Sequence, residues 1–108
     1  MISVQIDADK IREMAYEISQ EQKSYDEFVW FCAEAELRIR PALAYGKLYK
    51  DGEESQVVQI DPDMIVDQPA EEDIRTTAEE IAKQAPSVQD VHWFTAERRF
   101  IYDAAKNS

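Results

Sequence analysis

The chain has 108 residues, 44% hydrophobic and 10% aromatic, with one cysteine, two glycines and four prolines. That is enough apolar material for one domain with a buried core, and too much for a disordered chain. Its 23 acidic residues against 12 basic ones give a net charge of −11, which lacks the basic footprint that direct nucleic-acid or anionic-membrane binding requires.

A lone Cys32 leaves no internal disulfide and no cysteine-based zinc motif. Met1 to Asp7 lack the basic region and apolar run of a secretory leader, and no apolar stretch reaches membrane-spanning length. A cytoplasmic location without membrane association is therefore expected.

In chain order, Ile2 to Ile6 alternates apolar and polar residues, as a half-buried strand does. Asp7 or Asp9 then caps a first helix, expected over about residues 8–22, on which Ile11, Ala15 and Ile18 form one stripe with Met14 beside it. Ser24 with Glu27 three residues on has capping-box spacing and opens a second helix, with Trp30, Phe31, Ala33 and Leu37 as its apolar face. Pro41 limits that helix, and the short break before it predicts an antiparallel hairpin.

Tyr45 to Tyr49 reads as a strand, Asp51-Gly52 as a turn and Gln56 to Ile60 as the returning strand. Val58-Gln59-Ile60-Asp61 repeats Val4-Gln5-Ile6-Asp7. An insertion of about Met64 to Glu72, with Pro62 and Pro69 at its borders, reads as an extended acidic loop. Ile74, Ala78, Ile81 and Ala85 stripe a third helix, Pro86 breaks it, and Ser87 with Asp90 starts a fourth that reaches about Ala105.

The two halves are copies of one another. Shifted by 63 residues, Ile11 to Ile39 lies over Ile74 to Tyr102 without a gap, with ten of 29 positions identical and both tryptophans, Trp30 and Trp93, aligned. The fold class expected is α+β, mainly α: two repeated antiparallel helical hairpins related by a pseudo-twofold, with a small antiparallel sheet of two or three strands between them or at one end. Repeat 1 covers about 8–41, the β-hairpin and acidic connector about 44–72, and repeat 2 about 72–105, within a single domain 1–108.

Ile11-Arg12, Ala15-Tyr16, Trp30 and Ala33-Glu34 in the first copy recur in the second as Ile74-Arg75, Ala78, His92-Trp93 and Ala96-Glu97-Arg98. This pattern resembles, in two tandem copies, the bacterial family of domains of unknown function numbered 2934, a short helical hairpin. The resemblance implies a bacterial scaffold and no activity.

On the helical wheel Glu34 lies between Trp30 and Phe31, and Glu97 between Trp93 and Phe94, so these four aromatics are the expected core and the two carboxylates require partners. Arg12 and Arg75, shared by the repeats, are the candidates, giving ion pairs Arg12–Glu34 and Arg75–Glu97 within each hairpin or exchanged across the repeats. Facing each other, Glu34 and Glu97 would instead form a carboxylate pair suited to acid–base work or a metal. No histidine sits at the Glu-x-x-His spacing of bundle metal sites, so no metal is expected. His92 reads as a surface or half-buried side chain, and Cys32, nearly opposite Glu34, as a packed thiol. With no glycine-rich phosphate loop, nucleophile elbow or zinc-ligand cluster, no catalytic residue and no cofactor is expected.

The charge is uneven. Between Asp51 and Asp73 stand nine acidic residues and no Lys or Arg, whereas the other 85 residues hold 12 basic and 14 acidic groups. Asp61, Asp63, Asp67, Glu71, Glu72 and Asp73, with Tyr45 and Tyr49 nearby, suit a face that steers and anchors a basic partner; the plainer reading is a solubilising face. The leading expectation is thus a non-catalytic interaction or regulatory protein that engages a basic protein surface. An inhibitor or immunity-type protein that mimics nucleic acid is one form of it. The alternative is a small enzyme or ligand-binding protein that uses the cleft between the repeats, with Glu34 and Glu97. A homodimer is compatible with both.

Overall fold

The computed structural model describes residues 1–44 and 57–108. Its elements run β1 (Ile2–Gln5), α1 (Ala8–Ser19), α2 (Tyr25–Ile39), a 3-10 turn over Arg40–Ala42, β2 (Val57–Ile60), a second 3-10 turn over Pro62–Met64, α3 (Glu71–Lys83) and α4 (Val88–Lys106). The described residues are mainly helical, with four helices and one two-stranded antiparallel sheet among them. The expected Tyr45–Tyr49 strand and its Asp51-Gly52 turn lie outside the described residues.

Local chemistry sets the helix starts. Asp7 accepts from the Lys10 amide at 3.1 Å and caps α1. Ser24 and Glu27 form the full capping box, with bonds of 3.2 and 3.3 Å between each side chain and the other's amide. Ser87 accepts from the Asp90 amide at 3.1 Å and opens α4. Helix α3 has no side-chain cap at Ala70; instead Glu71, Glu72 and Asp73 in its first turn complement the positive helix end. The acidic insertion is therefore shorter than the sequence suggests, since Glu71 and Glu72 already belong to α3.

Helix α1 also stops earlier than expected, at Ser19. Its last turn carries no basic side chain, and the residues up to Ser24 form the turn that precedes the next cap. After α3, Ala85 takes a φ of 47°, a left-handed conformation that a residue with a Cβ adopts only at a cost. It reverses the chain just ahead of Pro86.

The repeats meet about a pseudo-twofold axis. The strands that repeat in sequence pair with each other, in the register Ile2↔Ile60, Ser3↔Gln59, Val4↔Val58 and Gln5↔Val57. Val4 and Val58, equivalent in sequence, thus stand directly opposite. The helices obey the same symmetry, since α2 packs along α4, α1 packs on α4, and α3 packs on α2. Direct packing of α1 on α2, or of α3 on α4, is slight. The two helix–turn–helix units are therefore opened and crossed, each lending its first helix to the other's second.

Two core clusters result. Val4, Ile39, Ala42, Leu43, Ile60, Ile101 and Ala105 join the sheet to the ends of α2 and α4. Ile11, Ile18, Phe28, Val29, Cys32, Val91 and Ala96 fill the helical layer, with Ala78 and Ile81 of α3 at its margin. Burying each large aliphatic side chain among these contributes about 1.5–3 kcal/mol.

The face that α2 and α4 bury is not the one the tryptophans suggest. Cys32, Ala33, Thr95 and Ala96 are all at most 2% exposed, whereas Trp30, Phe31, Trp93 and Phe94 are only half-buried. Close approach of two helices requires small residues at the crossing. The equivalent pairs Cys32/Thr95 and Ala33/Ala96 supply them, and the bulky rings are displaced to the flanks. Phe31, Trp93 and Phe94 cover the edge of the helical cluster.

Candidate functional site

The rotation of α2 and α4 reassigns the expected ion pairs. Glu34, half-buried, lies 3.4 Å from Arg38 one turn along α2, not against Arg12, whose partner is Asp9 at 2.8 Å in the first turn of α1. Arg75 pairs with Glu71 at 3.2 Å, and Glu97 with Arg98 at 3.1 Å. The shared arginines of α1 and α3 stay solvated on their own helices, each paired with an acidic residue of its own first turn.

The buried pair is one that the repeat identities do not reveal. Arg98 Nε donates to Glu36 Oε2 at 2.9 Å, joining α4 to α2, with both side chains 11% exposed. Arg98 Nη1 donates to the Phe94 carbonyl at 3.2 Å and to Glu97 Oε1 at 3.1 Å, and the guanidinium lies 5.3 Å from the Phe94 ring centre. Burial, the largest single influence, would lower the Arg98 pKa, but Glu36, Cys32 and Glu97 together outweigh it and hold the cation above its ordinary value. Burial pushes the Glu97 carboxyl up, against the pull of Arg98. Burial also raises the Cys32 thiol, which makes it a packing group and a poor nucleophile.

Above this pair opens a cleft of about 300 Å³ between α2, α3 and α4. Glu36, Arg98 and Cys32 line it together with Arg40, whose Nε is 3.9 Å from Glu36 Oε1. Helix α3 adds Thr77, Glu80 and Ile81. The cleft between repeats therefore exists, but it is built on Glu36 and Arg98 and not on Glu34 and Glu97. The clue in the sequence lay where the copies differ: Arg98 stands where the first repeat has Ala35, and Arg99 where it has Glu36.

The acidic segment is pinned to the body. Ile65 packs on the sheet cluster, the Asp61 amide donates to the Ala42 carbonyl at 2.9 Å, and the Val66 amide to the Arg38 carbonyl at 2.9 Å. Asp67 accepts from the Tyr102 hydroxyl at 2.7 Å and meets the Lys106 ammonium at 3.1 Å. The Tyr102 hydrogen bond first, and Lys106 second, hold its carboxyl below the ordinary range. Arg38 Nε donates to the Asp67 carbonyl at 3.2 Å while its guanidinium lies 5.4 Å from the Tyr102 ring centre. Asp61 caps the 3-10 turn, accepting from the Asp63 amide at 3.0 Å. Asp61 and Asp67 are thus committed to internal bonds, whereas Asp63, Glu72 and Asp73 are exposed and have no basic partner among the described residues. Tyr45 and Tyr49 lie outside the described residues.

His92 is 8% exposed, packs edge-on against Phe28 at 4.4 Å between ring centres, and leaves Nε2 buried without a hydrogen-bond partner. Among the described residues no group of three or more His, Cys, Asp or Glu side chains is arranged to hold a metal, and no helix is long and apolar enough to cross a membrane. No family model matches this chain, no curated protein matches it, and no solved structure matches it.

Proposed function

We propose that this chain is a non-catalytic interaction protein that docks on a basic protein surface through the segment 61–73. One observation carries the reading. The segment is held against the 3-10 turn after α2 by Asp61, against α2 by Val66 and against α4 by Asp67, while Asp63, Glu72 and Asp73 remain exposed and unpaired among the described residues. A surface ordered by its own contacts loses little freedom on binding, and uncompensated carboxylates on it steer a cationic partner. The cytoplasm is the compartment this reading assumes, and an inhibitor that presents carboxylates in place of nucleic-acid phosphates is its most specific form.

The test is affinity capture from host lysate at low salt, followed by stepped salt elution. Two baits lose three charges each: Asp63→Asn with Glu72→Gln and Asp73→Asn, against Glu13→Gln with Glu17→Gln and Glu79→Gln on exposed faces of α1 and α3. A discrete basic partner released by salt, kept by the second bait and lost by the first, is the expected outcome. Equal retention by both baits would remove the segment from the interface.

A further inference from the structure

We infer that the cleft over the Glu36–Arg98 pair binds a free α-amino acid with an apolar side chain. Its volume, about 300 Å³, lies at the small end of ligand sites. Two polar groups line it that are themselves buried yet unsatisfied by the protein. Arg98 commits Nε and Nη1, but Nη2 takes no partner among the described residues. Thr77 is 4% exposed, and its hydroxyl likewise has none. Neither is among the fully occluded orphan atoms, of which His92 Nε2 is the one found among the described residues, so each keeps some exposure, and both residues line the cleft.

The position of Thr77 is held in the first repeat by half-buried Met14, and that of Arg98 by buried Ala35. The first repeat carries apolar side chains at these two positions; the second carries a hydroxyl and a guanidinium. A buried ion pair adds little net stability over an apolar filling, so structural need alone does not account for the difference.

The lining also divides by chemistry. Arg98, Arg40 and Thr77 offer donors where a ligand carboxylate can lie. Glu80, exposed on α3 one turn from Thr77 and unpaired among the described residues, offers an acceptor for an ammonium group. Ile81, Pro86 and Phe94 provide the apolar wall. A zwitterion with an apolar body matches all three and brings no net charge into a strongly acidic protein.

The probes are leucine and phenylalanine, each compared with its decarboxylated amine and its deaminated acid, by calorimetric titration and ¹⁵N-resolved NMR of the full chain. At least one of the two amino acids should bind and shift resonances of Thr77, Ile81 and Arg98, with its amine and its deaminated acid each weaker by about tenfold. Thr77→Met, which restores the residue of the first repeat, should abolish binding while leaving the melting temperature near that of the parent. Glu80→Gln should weaken the amino acid but not the deaminated acid. Absence of binding by both amino acids, shifts confined to other surfaces, equal binding of amine or deaminated acid, or unchanged binding in Thr77→Met would each overturn the assignment. Binding here does not depend on the acidic segment, so the charge-neutralised bait should keep it.

Discussion

Removing the charge of Glu36 tests the centre of the structure. In Glu36→Gln the Arg98 guanidinium stays in place, roughly nine-tenths enclosed, but loses the carboxylate that its Nε meets at 2.9 Å. Breaking a buried pair from one side costs about 3–5 kcal/mol. Here the loss is partly offset, because Arg98 keeps Glu97 at 3.1 Å and the Phe94 carbonyl at 3.2 Å. The expected destabilisation is about 2–3 kcal/mol. With an unfolding entropy of about 2.1 cal/mol/K per residue, or roughly 0.23 kcal/mol/K over the chain, the melting temperature should fall by about 9–13 °C. Urea titration followed by circular dichroism at neutral pH measures the change directly. The double substitution Glu36→Leu with Arg98→Met, which removes both charges, should cost less than the single one. A loss below about 0.5 kcal/mol for Glu36→Gln would refute the argument, since exposed pairs have that value. So would a loss that vanishes in high salt, which screens solvated charges and hardly touches enclosed ones.

Two further outcomes follow from single residues. Ala85→Gly removes the Cβ that opposes the left-handed φ of 47°, a relief of about 1–2 kcal/mol, less about 0.4–1 kcal/mol for the looser unfolded chain. A net gain of roughly 0.5 kcal/mol, seen as a melting point a few degrees higher, is expected; a lower melting point would contradict the assigned backbone. His92, whose pKa burial lowers against a small opposing effect of Glu21, should make stability fall as pH drops below about 6.5. In that range the unfolded chain takes up a proton that the folded one refuses, and the loss levels off once pH passes below the folded-state value. His92→Val, the residue of the first repeat, should flatten this slope. Glu97, raised by burial, acts in the opposite sense, so the difference between the two proteins isolates the histidine. Identical slopes in urea series at successive pH values would rule the mechanism out.

Much of the fold was legible because it is written in neighbouring residues. The Ser24–Glu27 box, the Asp7 and Ser87 caps and the strand that repeats at Val4 and Val58 each depend on a few consecutive side chains. The burial face of α2 departs from its apolar pattern because two large aromatics dominate that pattern, whereas the crossing with α4 is decided by the smallness of Cys32 and Ala33. The Glu36–Arg98 pair spans 62 residues and occupies positions where the copies disagree, so a search for shared residues passes over it. Short turns suggested that each helix folds back on its neighbour. Apolar area does not distinguish that arrangement from the crossed one, in which α1 finds α4 and α3 finds α2.

That crossing governs how the chain acquires its structure as it leaves the ribosome. When α1 and α2 have emerged, neither has its main partner, because α1 awaits α4 and α2 awaits both α3 and α4. The first helix pair, which in an ordinary hairpin would collapse at once, must remain open until α4, Val88–Lys106, has been made. Translation at about 5–20 residues per second leaves it exposed for several seconds. Long-range helix contacts also slow the final collapse relative to a simple helical bundle of this size.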